Sequence, residues 1–183
     1  MDLREISEFF RDMSIYLVTF LSIAIIFMFV VALHPIAGNS MHETLEEGDI
    51  VLVSKISYRF FEIQRNDIVT LKKDGKSYIK RIIGLPGEDI KYLKNILYIN
   101  DNPYTENFLE KDTKTSGFTL EDVCKKDECP DGVIPKGKYL VLGDNREESS
   151  DSRNKEFGLV DYKEITGKVF FNIWPLNRFG NVN

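Results

Sequence analysis

The clearest feature of the hydrophobic pattern is an uncharged apolar run near the N-terminus. It extends from Ile15 to Leu33 and reads IYLVTFLSIAIIFMFVVAL. As an α-helix these residues span about 28 Å, close to the hydrocarbon thickness of a bilayer, so the pattern predicts a retained transmembrane anchor. A cleavable signal peptide is the alternative, but its apolar core is usually about 7–15 residues long and ends at a small-x-small site. The following HPIAG has no clean site of that kind.

The charges that flank this run predict its orientation. Arg4 and Arg11 precede it, and no lysine or arginine follows until Lys55. Because positively charged flanks stay in the cytoplasm, we predict a single-pass protein of the cell membrane with a cytoplasmic N-terminus. The predicted parts are a cytoplasmic tail (1–14), an anchor (15–33) and an extracytoplasmic domain (34–183).

Beyond residue 33 the pattern is the alternation of apolar and polar positions that is typical of strands. Such segments include GDIVLVSKISY, NDIVTLKK, KYLVLGD and KVFFNIWPL, and Asp74-Gly75 marks a tight hairpin between two of the predicted strands. No long amphipathic helix pattern follows the anchor. The predicted fold class is therefore mainly β, with a single N-terminal transmembrane helix.

A polar insertion from about residue 100 to residue 136 interrupts the strand pattern. It has the highest density of Asp, Glu and Lys in the chain, so we expect a small subdomain or a mobile cap without a large core of its own. Cys124 and Cys129 lie in it, and we favour a disulfide, which on the chain-entropy model stabilises such a small loop by about 2 kcal/mol. Two free thiols are the alternative. A metal site is disfavoured because C-x4-C with two distant histidines is a poor ligand set.

Composition narrows the range of partners. The formal net charge is −5, which argues against nucleic acid, a partner that selects clustered Lys and Arg. Aromatic residues make up 12% of the chain, enough for a folded core.

The stretch GNSMHETLEEGD, residues 38–49, contains a candidate nucleophile, Ser40. A serine needs a base to react near neutral pH. The chain has two histidines, of which His34 adjoins the membrane segment and His42 is only two residues from Ser40. Because triad histidines normally reach back from elsewhere in the fold, a Ser-His-Asp enzyme is disfavoured.

Lys80 is the other candidate base, because burial favours the neutral amine. It lies in SYIKRIIGL, where alternation places it mid-strand between apolar neighbours. The alternative is an amphipathic lysine whose ammonium reaches solvent at the margin of a sheet. A third stretch, VLGDNREESSDSR at residues 141–153, is either a solvated loop or a rigid loop whose balanced charges pair within it.

Together, SMHETL, YIKRIIGLPGE and GDNREESSDSR resemble the sequence boxes of the bacterial type I signal peptidases. These are membrane-bound Ser/Lys proteases that remove signal peptides from exported proteins. The resemblance covers most of the chain, including GDIVLVSK and IWPLNRFG, and the single anchor resembles the Gram-positive type. It implies an antiparallel β catalytic domain without a metal or an organic cofactor.

The resemblance also implies roles for individual residues. Ser40 is the nucleophile and its backbone N–H an oxyanion donor, Lys80 is the general base, and Ser149 orients the lysine. Gly38 stands where some members of the family add a hydroxyl donor. The implied supporting residues shape the pocket beside the serine or form ion pairs, with Arg81 as partner of Asp144: Met41, Arg81, Asp144, Arg146, Asp151 and Arg153.

The activity implied is cleavage of preproteins after small residues, of the Ala-x-Ala type, through an acyl-enzyme. The partners are signal peptides and the lipid bilayer. Glu43 departs from the family, which usually has proline in S-M-x-P-T-L. We hypothesise that the replacement of proline by Glu43 loosens the loop or raises the Lys80 pKa. Either effect would narrow the substrate range, for example to a pilin or another surface protein. Alternatively, Glu43 points to solvent and has no effect.

Two other functions fit parts of the pattern. The first is a catalytically weak or silent relative that assists the assembly of surface proteins or pili, although both Ser40 and Lys80 are present. The second is a self-cleaving Ser/Lys repressor, which would require a DNA-binding domain in place of the apolar anchor.

Overall fold

The N-terminal apolar segment forms one long helix. The computed structural model describes residues 3–182, and α1 extends from Leu3 to Val30. Its segment Ile6–Val30 is long and apolar enough to cross a membrane, and its side chains are almost all exposed. Residues 1 and 2 of the predicted cytoplasmic tail lie outside the described residues, and from Leu3 onward the tail belongs to this helix.

The helix ends three residues before the end of the predicted anchor. Val31 to Leu33 belong to the first strand, in which Leu33 pairs with Leu52 of the second. Apolar composition alone cannot separate these residues from the helix, because an apolar strand continues the hydrophobic run without a break.

Twelve strands and two four-residue helices follow α1 within residues 31–182. In chain order they are β1 (Val31–Pro35), β2 (Ile50–Ser54), α2 (Ser57–Phe60), β3 (Ile68–Lys73), β4 (Lys76–Gly84), β5 (Ile90–Leu93), β6 (Ile96–Ile99), β7 (Asn102–Tyr104), β8 (Phe118–Thr119), α3 (Leu120–Val123), β9 (Lys138–Leu142), β10 (Val160–Asp161), β11 (Ile165–Trp174) and β12 (Gly180–Asn181). The Asp74-Gly75 hairpin is confirmed between β3 and β4, with both residues at positive φ.

The strands form two antiparallel sheets. The larger has the order β1-β2-β11-β3-β4-β9-β10, with β12 on β11, and the smaller has the order β7-β6-β5-β8. The β4–β9 ladder begins at the pair Arg81–Leu142, which places Gly143 opposite Lys80 one step further on.

Besides β10 and β12, two stretches of the large sheet near Ser40 and Lys80 have a free edge within residues 3–182. β1 pairs with β2 on one side only. The first half of β4 pairs with β3 only, since β9 joins β4 from Arg81 onward. A free edge presents unpaired backbone N–H and C=O groups that can bind another extended chain.

Buried side chains hold the two sheets together. One cluster contains β5 and β6 residues together with Leu140 and Leu142 of β9, so the small sheet and the large sheet share a core. A second cluster underlies β1, where Val51 and Val53 pack with Ile36.

The polar insertion contributes a few apolar side chains to that shared core, in keeping with the expectation that it has no large core of its own. Phe118, Leu120, Val123 and Ile134 are all at most 5% exposed. The predicted boundary near residue 100 also falls inside the small sheet, between β6 and β7. These few apolar positions could not be recognised as core residues from the sequence, because charged residues surround them. Cys124 and Cys129 form a disulfide, as favoured.

Candidate active site

Ser40 lies in the loop that connects β1 with β2. Two backbone hydrogen bonds close the base of this loop, from Ile36 N to Asp49 O (2.8 Å) and from Gly48 N to Ile36 O (3.0 Å). Met41, which is 1% exposed, anchors the loop in the core directly beside Ser40. Within residues 3–182 the Ser40 N–H donates no hydrogen bond, so it is available as a donor.

A cavity of about 220 Å³ opens beside Ser40. Its walls come from residues 34–38, from Met41 and from residues 77–79 of β4. The cavity therefore lies between the free edges of β1 and β4, with the serine at one end.

Lys80 lies in the middle of β4 and is 2% exposed, which contradicts the alternative of a lysine that reaches solvent. Burial lowers the Lys80 pKa from 10.5 to about 8; Asp151 and Asp144 oppose this shift, and Arg153 adds to it. No described residue forms a hydrogen bond with Lys80 Nζ, so the buried ammonium is poorly compensated. Its charged form is disfavoured for that reason.

Gly143 allows two serines to approach Lys80. Because Gly143 lies opposite Lys80, a side chain at that position would point to the same face of the sheet as the lysine. A Cβ atom on Gly143 would collide with Ser149 Oγ and with the Ser40 carbonyl oxygen. Ser149 Oγ is buried and has no hydrogen-bond partner among the described residues. Ser149 Oγ and the Ser40 backbone therefore lie on the face of Lys80, and no hydrogen bond joins the side chains of Ser40, Lys80 and Ser149 among the described residues.

Arg81 and Asp144 form an ion pair beneath the site. The pair is bidentate, with Arg81 Nε 2.9 Å from Asp144 Oδ1 and Nη2 2.7 Å from Oδ2, and both side chains are fully buried. Thr44 of the serine loop donates to Asp144 Oδ2 (2.5 Å), and the Phe108 ring lies 4.1 Å from Arg81 Cζ. The pair thus connects β4, the serine loop and the insertion.

The charged residues of the loop at 141–153 pair partly within the loop and partly with other segments. Asp151 and Arg153 pair within it, through two hydrogen bonds of 2.8 Å, and Asp151 also accepts from Gly143 N. Arg146 instead binds Glu106 of the insertion, with Nη2 2.6 Å from Oε1, and donates to the Gly143 carbonyl.

Glu43 contacts the insertion and does not interact with Lys80. Its carboxylate accepts hydrogen bonds from Glu110 N (3.2 Å) and from Thr113 Oγ1 (3.3 Å). The charges that act on the Lys80 pKa belong to other residues. Glu43 also has a φ of +86°, a conformation closed to proline.

Sequence analysis missed two residues that build the site. Gly143 was not singled out, because nothing in the sequence shows what occupies the space of its absent side chain. Glu106 is one of many acids in the insertion, and no pattern connects it with Arg146, forty residues further on. His42 is exposed and does not line the cavity beside Ser40. No three His, Cys, Asp or Glu side chains among the described residues are placed to hold a metal ion.

Comparison with known proteins identifies the family. The sequence matches the family model for signal peptidase, peptidase S26, over residues 9–174. Signal peptidase IB of Staphylococcus aureus (strain Mu50) is 38% identical over 170 residues, which cover 88% of this chain and 87% of that protein. Signal peptidase I of Bacillus caldolyticus is 42% identical over 165 residues, which cover 86% of this chain and 87% of that one.

A solved structure confirms the fold class. The crystal structure of a signal peptidase I from Enterococcus faecalis matches with a TM-score of 0.50 at 36% identity, and the match covers 59% of this chain and 97% of that chain. The mainly β architecture and the resemblance of the three sequence boxes are thus both confirmed. The chain belongs to the type I signal peptidases, the serine endopeptidases of peptidase family S26.

Proposed function

We propose that this protein cleaves signal peptides from exported preproteins after a small residue, with Ser40 as nucleophile and Lys80 as general base. The observation that carries the proposal is the burial of Lys80, which lowers its pKa to about 8, on the face where the Ser40 carbonyl and Ser149 Oγ also lie. A general base works best when its pKa is near the working pH. The presence of both residues in this setting favours an active enzyme over a silent relative.

The proposed reaction needs only groups of this chain and water. Neutral Lys80 takes the proton of Ser40 Oγ as the oxygen attacks the carbonyl carbon, and the Ser40 N–H donates to the oxyanion. Lys80 then gives the proton to the leaving amine, which releases the mature protein and leaves an ester on Ser40. Lys80 next takes a proton from water as its oxygen attacks the ester carbon, and then gives this proton to Ser40 Oγ as the ester bond breaks, which releases the signal peptide and restores the neutral amine. Ser149 Oγ, which has no other partner within the described chain, orients the Lys80 amine.

The substrate binds as an added strand between the free edges of β1 and β4. β1 and β4 run in the same direction, because an odd number of strands separates them in a fully antiparallel order. An extended peptide that pairs with these edges places alternate side chains in the cavity. Ile36, Met41 and Ile79 form an apolar wall beside Ser40, which suits a small apolar side chain such as alanine.

Helix α1 is proposed to anchor the enzyme, with residues 34–183 outside the cytoplasm. Ser40 is ten residues beyond Val30, so it lies within about 36 Å of the end of the helix even if the chain between them is fully extended. Signal peptides emerge at the same membrane surface, because their apolar core lies in the bilayer. The anchor thus holds the nucleophile where the cleavage site appears.

We also propose that Glu43 narrows the substrate range, but through the insertion and not through the Lys80 pKa. Its two hydrogen bonds fasten residues 110–113 to the loop that carries Ser40. Glu43→Ala, assayed on several preproteins, tests this step. If Glu43→Ala changes the cleavage rates of the preproteins by unequal factors, the role of Glu43 in substrate selection is supported. A uniform change in rate would contradict that role.

The catalytic assignment is tested with wild type, Ser40→Ala, Lys80→Met and His42→Ala on a preprotein whose cleavage site is Ala-x-Ala. We expect Ser40→Ala and Lys80→Met to lower kcat by at least about 1,000-fold, as losses of a nucleophile or its base typically do. His42→Ala should keep most of the activity, because the ring is exposed and outside the cavity. Loss of activity in His42→Ala with survival of Lys80→Met would overturn the assignment.

A further inference from the structure

We propose that the substrate groove has a polar subsite, formed by His34 and Ser77, that selects a hydroxyl-bearing side chain at the third residue before the scissile bond. The inference rests on the proposed function, and it refines the Ala-x-Ala preference that the family resemblance implies. It goes beyond that resemblance because it depends on two residues of this chain outside the three sequence boxes.

His34 and Ser77 lie on opposite walls of the cavity beside Ser40. In β1, His34 pairs with Val51, a core residue that is fully buried, so both side chains point to the inner face of the sheet. In β4, Ser77 lies two residues before Ile79, and alternation places these two side chains on one face. The two polar groups therefore line the same groove from two sides.

The spacing of His34 and Ile36 along β1 indicates which substrate residue the subsite binds. Ile36 packs in one cluster with Met41, the residue after the nucleophile, and marks the pocket for the residue that precedes the cleaved bond. His34 is two residues back on the same face, which is about 6.6 Å along a strand. In an extended peptide that runs parallel to β1, the third residue before the scissile bond lies level with His34. The N-terminal part of the peptide then points toward Val31 and the membrane helix, as a signal peptide requires.

Both polar groups are available to a ligand. Within residues 3–182 neither the His34 ring nor the Ser77 hydroxyl takes part in a hydrogen bond with another protein group. An aliphatic side chain between them would displace water from two polar groups without replacing its hydrogen bonds, which costs free energy. A serine or threonine hydroxyl both donates and accepts, so it can satisfy the imidazole and the Ser77 hydroxyl together.

Further hydroxyl groups lie next to the subsite. A second cavity of about 240 Å³ shares His34 and Ser77 with the first and is also lined by Thr70 and Thr166. The hydroxyls of these two threonines lie 2.9 Å apart and bond to each other. A polar side chain at the subsite therefore borders two further hydroxyl groups, although Ala32, Val53 and Leu71 also line this second cavity.

The test compares threonine with valine at the third position before the bond, because the two side chains have the same shape and differ in the hydroxyl. Two otherwise identical preprotein peptides, each with alanine directly before the bond, are assayed for kcat/KM with the full chain in detergent micelles. A neutral hydrogen bond contributes about 0.5–1.5 kcal/mol, so wild type should prefer threonine by about 2- to 12-fold. His34→Leu should abolish or reverse this preference, and Ser77→Ala, at an exposed position, should reduce it.

His42→Leu is the matched control, since it removes the other histidine, which is outside both cavities, and should retain the threonine preference. Equal or better cleavage of the valine peptide by wild type would overturn the subsite. So would an unchanged preference in both His34→Leu and Ser77→Ala. Failure of the proposed function would be distinct, because neither peptide would then be cleaved in a Ser40-dependent manner.

Discussion

Gly143 lies opposite Lys80, and the space that its side chain would occupy is filled by Ser149 Oγ and the carbonyl oxygen of Ser40. A single missing side chain thus lets the loop of Ser40 and the loop of Ser149 meet on the face of Lys80. The backbone around Gly143 is held from both sides, because its N–H donates to Asp151 and its carbonyl accepts from Arg146. The glycine is therefore fixed in place, and its neighbours would have to move to admit a larger residue.

Gly143→Ala is expected to lower kcat/KM by about 100-fold, because a displacement of about 1 Å among catalytic groups has that effect. The added Cβ would push Ser149 and the Ser40 loop away from Lys80. Gly180→Ala is the matched control, since no atom lies within 4 Å of the Cβ position there and the backbone is not at positive φ. Steady-state cleavage of a preprotein measures the effect, and circular dichroism checks the fold. Full activity in Gly143→Ala would contradict this account of the site.

The pH dependence of cleavage should report the Lys80 pKa. Only the neutral amine can accept the proton of Ser40, and burial lowers the pKa of Lys80 to about 8. The value of kcat/KM is therefore expected to rise tenfold per pH unit well below pH 8 and to level off above it. A pH–rate profile of the free enzyme with a short peptide measures this. An inflection near pH 10.5, the ordinary value for lysine, would contradict burial as the cause of activation.

The same pKa shift predicts how stability depends on pH. A lysine whose pKa is about 8 when folded and 10.5 when unfolded binds fewer protons in the folded state between these values. The free energy of unfolding should therefore rise with pH from about 8 to 10.5 relative to Lys80→Met, which carries no titrating group. Below pH 8 the charged amine remains buried, so Lys80→Met should be the more stable protein. Urea unfolding of both proteins from pH 6 to pH 10.5 tests the sign.

Features that depend on local pattern could be predicted from the sequence. Apolar length indicated the helix, alternation indicated the strands, and Asp74-Gly75 indicated the hairpin. The end of the helix at Val30 could not be placed, because a pairing with β2 converts the last apolar residues into a strand. The separate small sheet formed by β5 to β8 could not be predicted either, since these strands are only two to four residues long and are separated by charged turns.

Some residues of the candidate site could likewise be predicted from the sequence, whereas others are brought to the site only by the tertiary structure. Ser40 and Lys80 were proposed from the local sequence and Ser149 from the family boxes, and the predicted pairing of Arg81 with Asp144 is present in the structure. Glu106 was missed because its ion pair with Arg146 exists only once the insertion folds over the loop that carries Asp144. The role of Gly143 likewise depends on atoms from two distant loops. Contacts of this kind are set by tertiary structure, and no periodicity in the chain encodes them.

The buried pair Arg81–Asp144 should be more costly to break than to replace. Arg81→Met leaves the Asp144 carboxylate buried without its cation, and loss of one partner of a buried pair costs about 3–5 kcal/mol. The double variant Arg81→Met/Asp144→Leu removes both charges and should be clearly more stable than Arg81→Met alone. Urea unfolding of the two single variants and the double variant completes the cycle. Additive losses in the double variant would show that the two charges do not stabilise each other.

Glu43→Pro introduces the residue that the family usually carries, yet it is expected to destabilise this protein. Proline fixes φ near −65°, whereas Glu43 has φ +86°, so the loop beside Ser40 must rearrange and release residues 110–113. An incompatible backbone conformation costs about 1–3 kcal/mol, measurable by urea unfolding. Glu43→Gly is the matched control, because it loses the same two hydrogen bonds but tolerates positive φ. If Glu43→Pro proves as stable as Glu43→Gly, the φ of this residue does not determine the loop, and the carboxylate contacts alone distinguish Glu43 from the proline of the family.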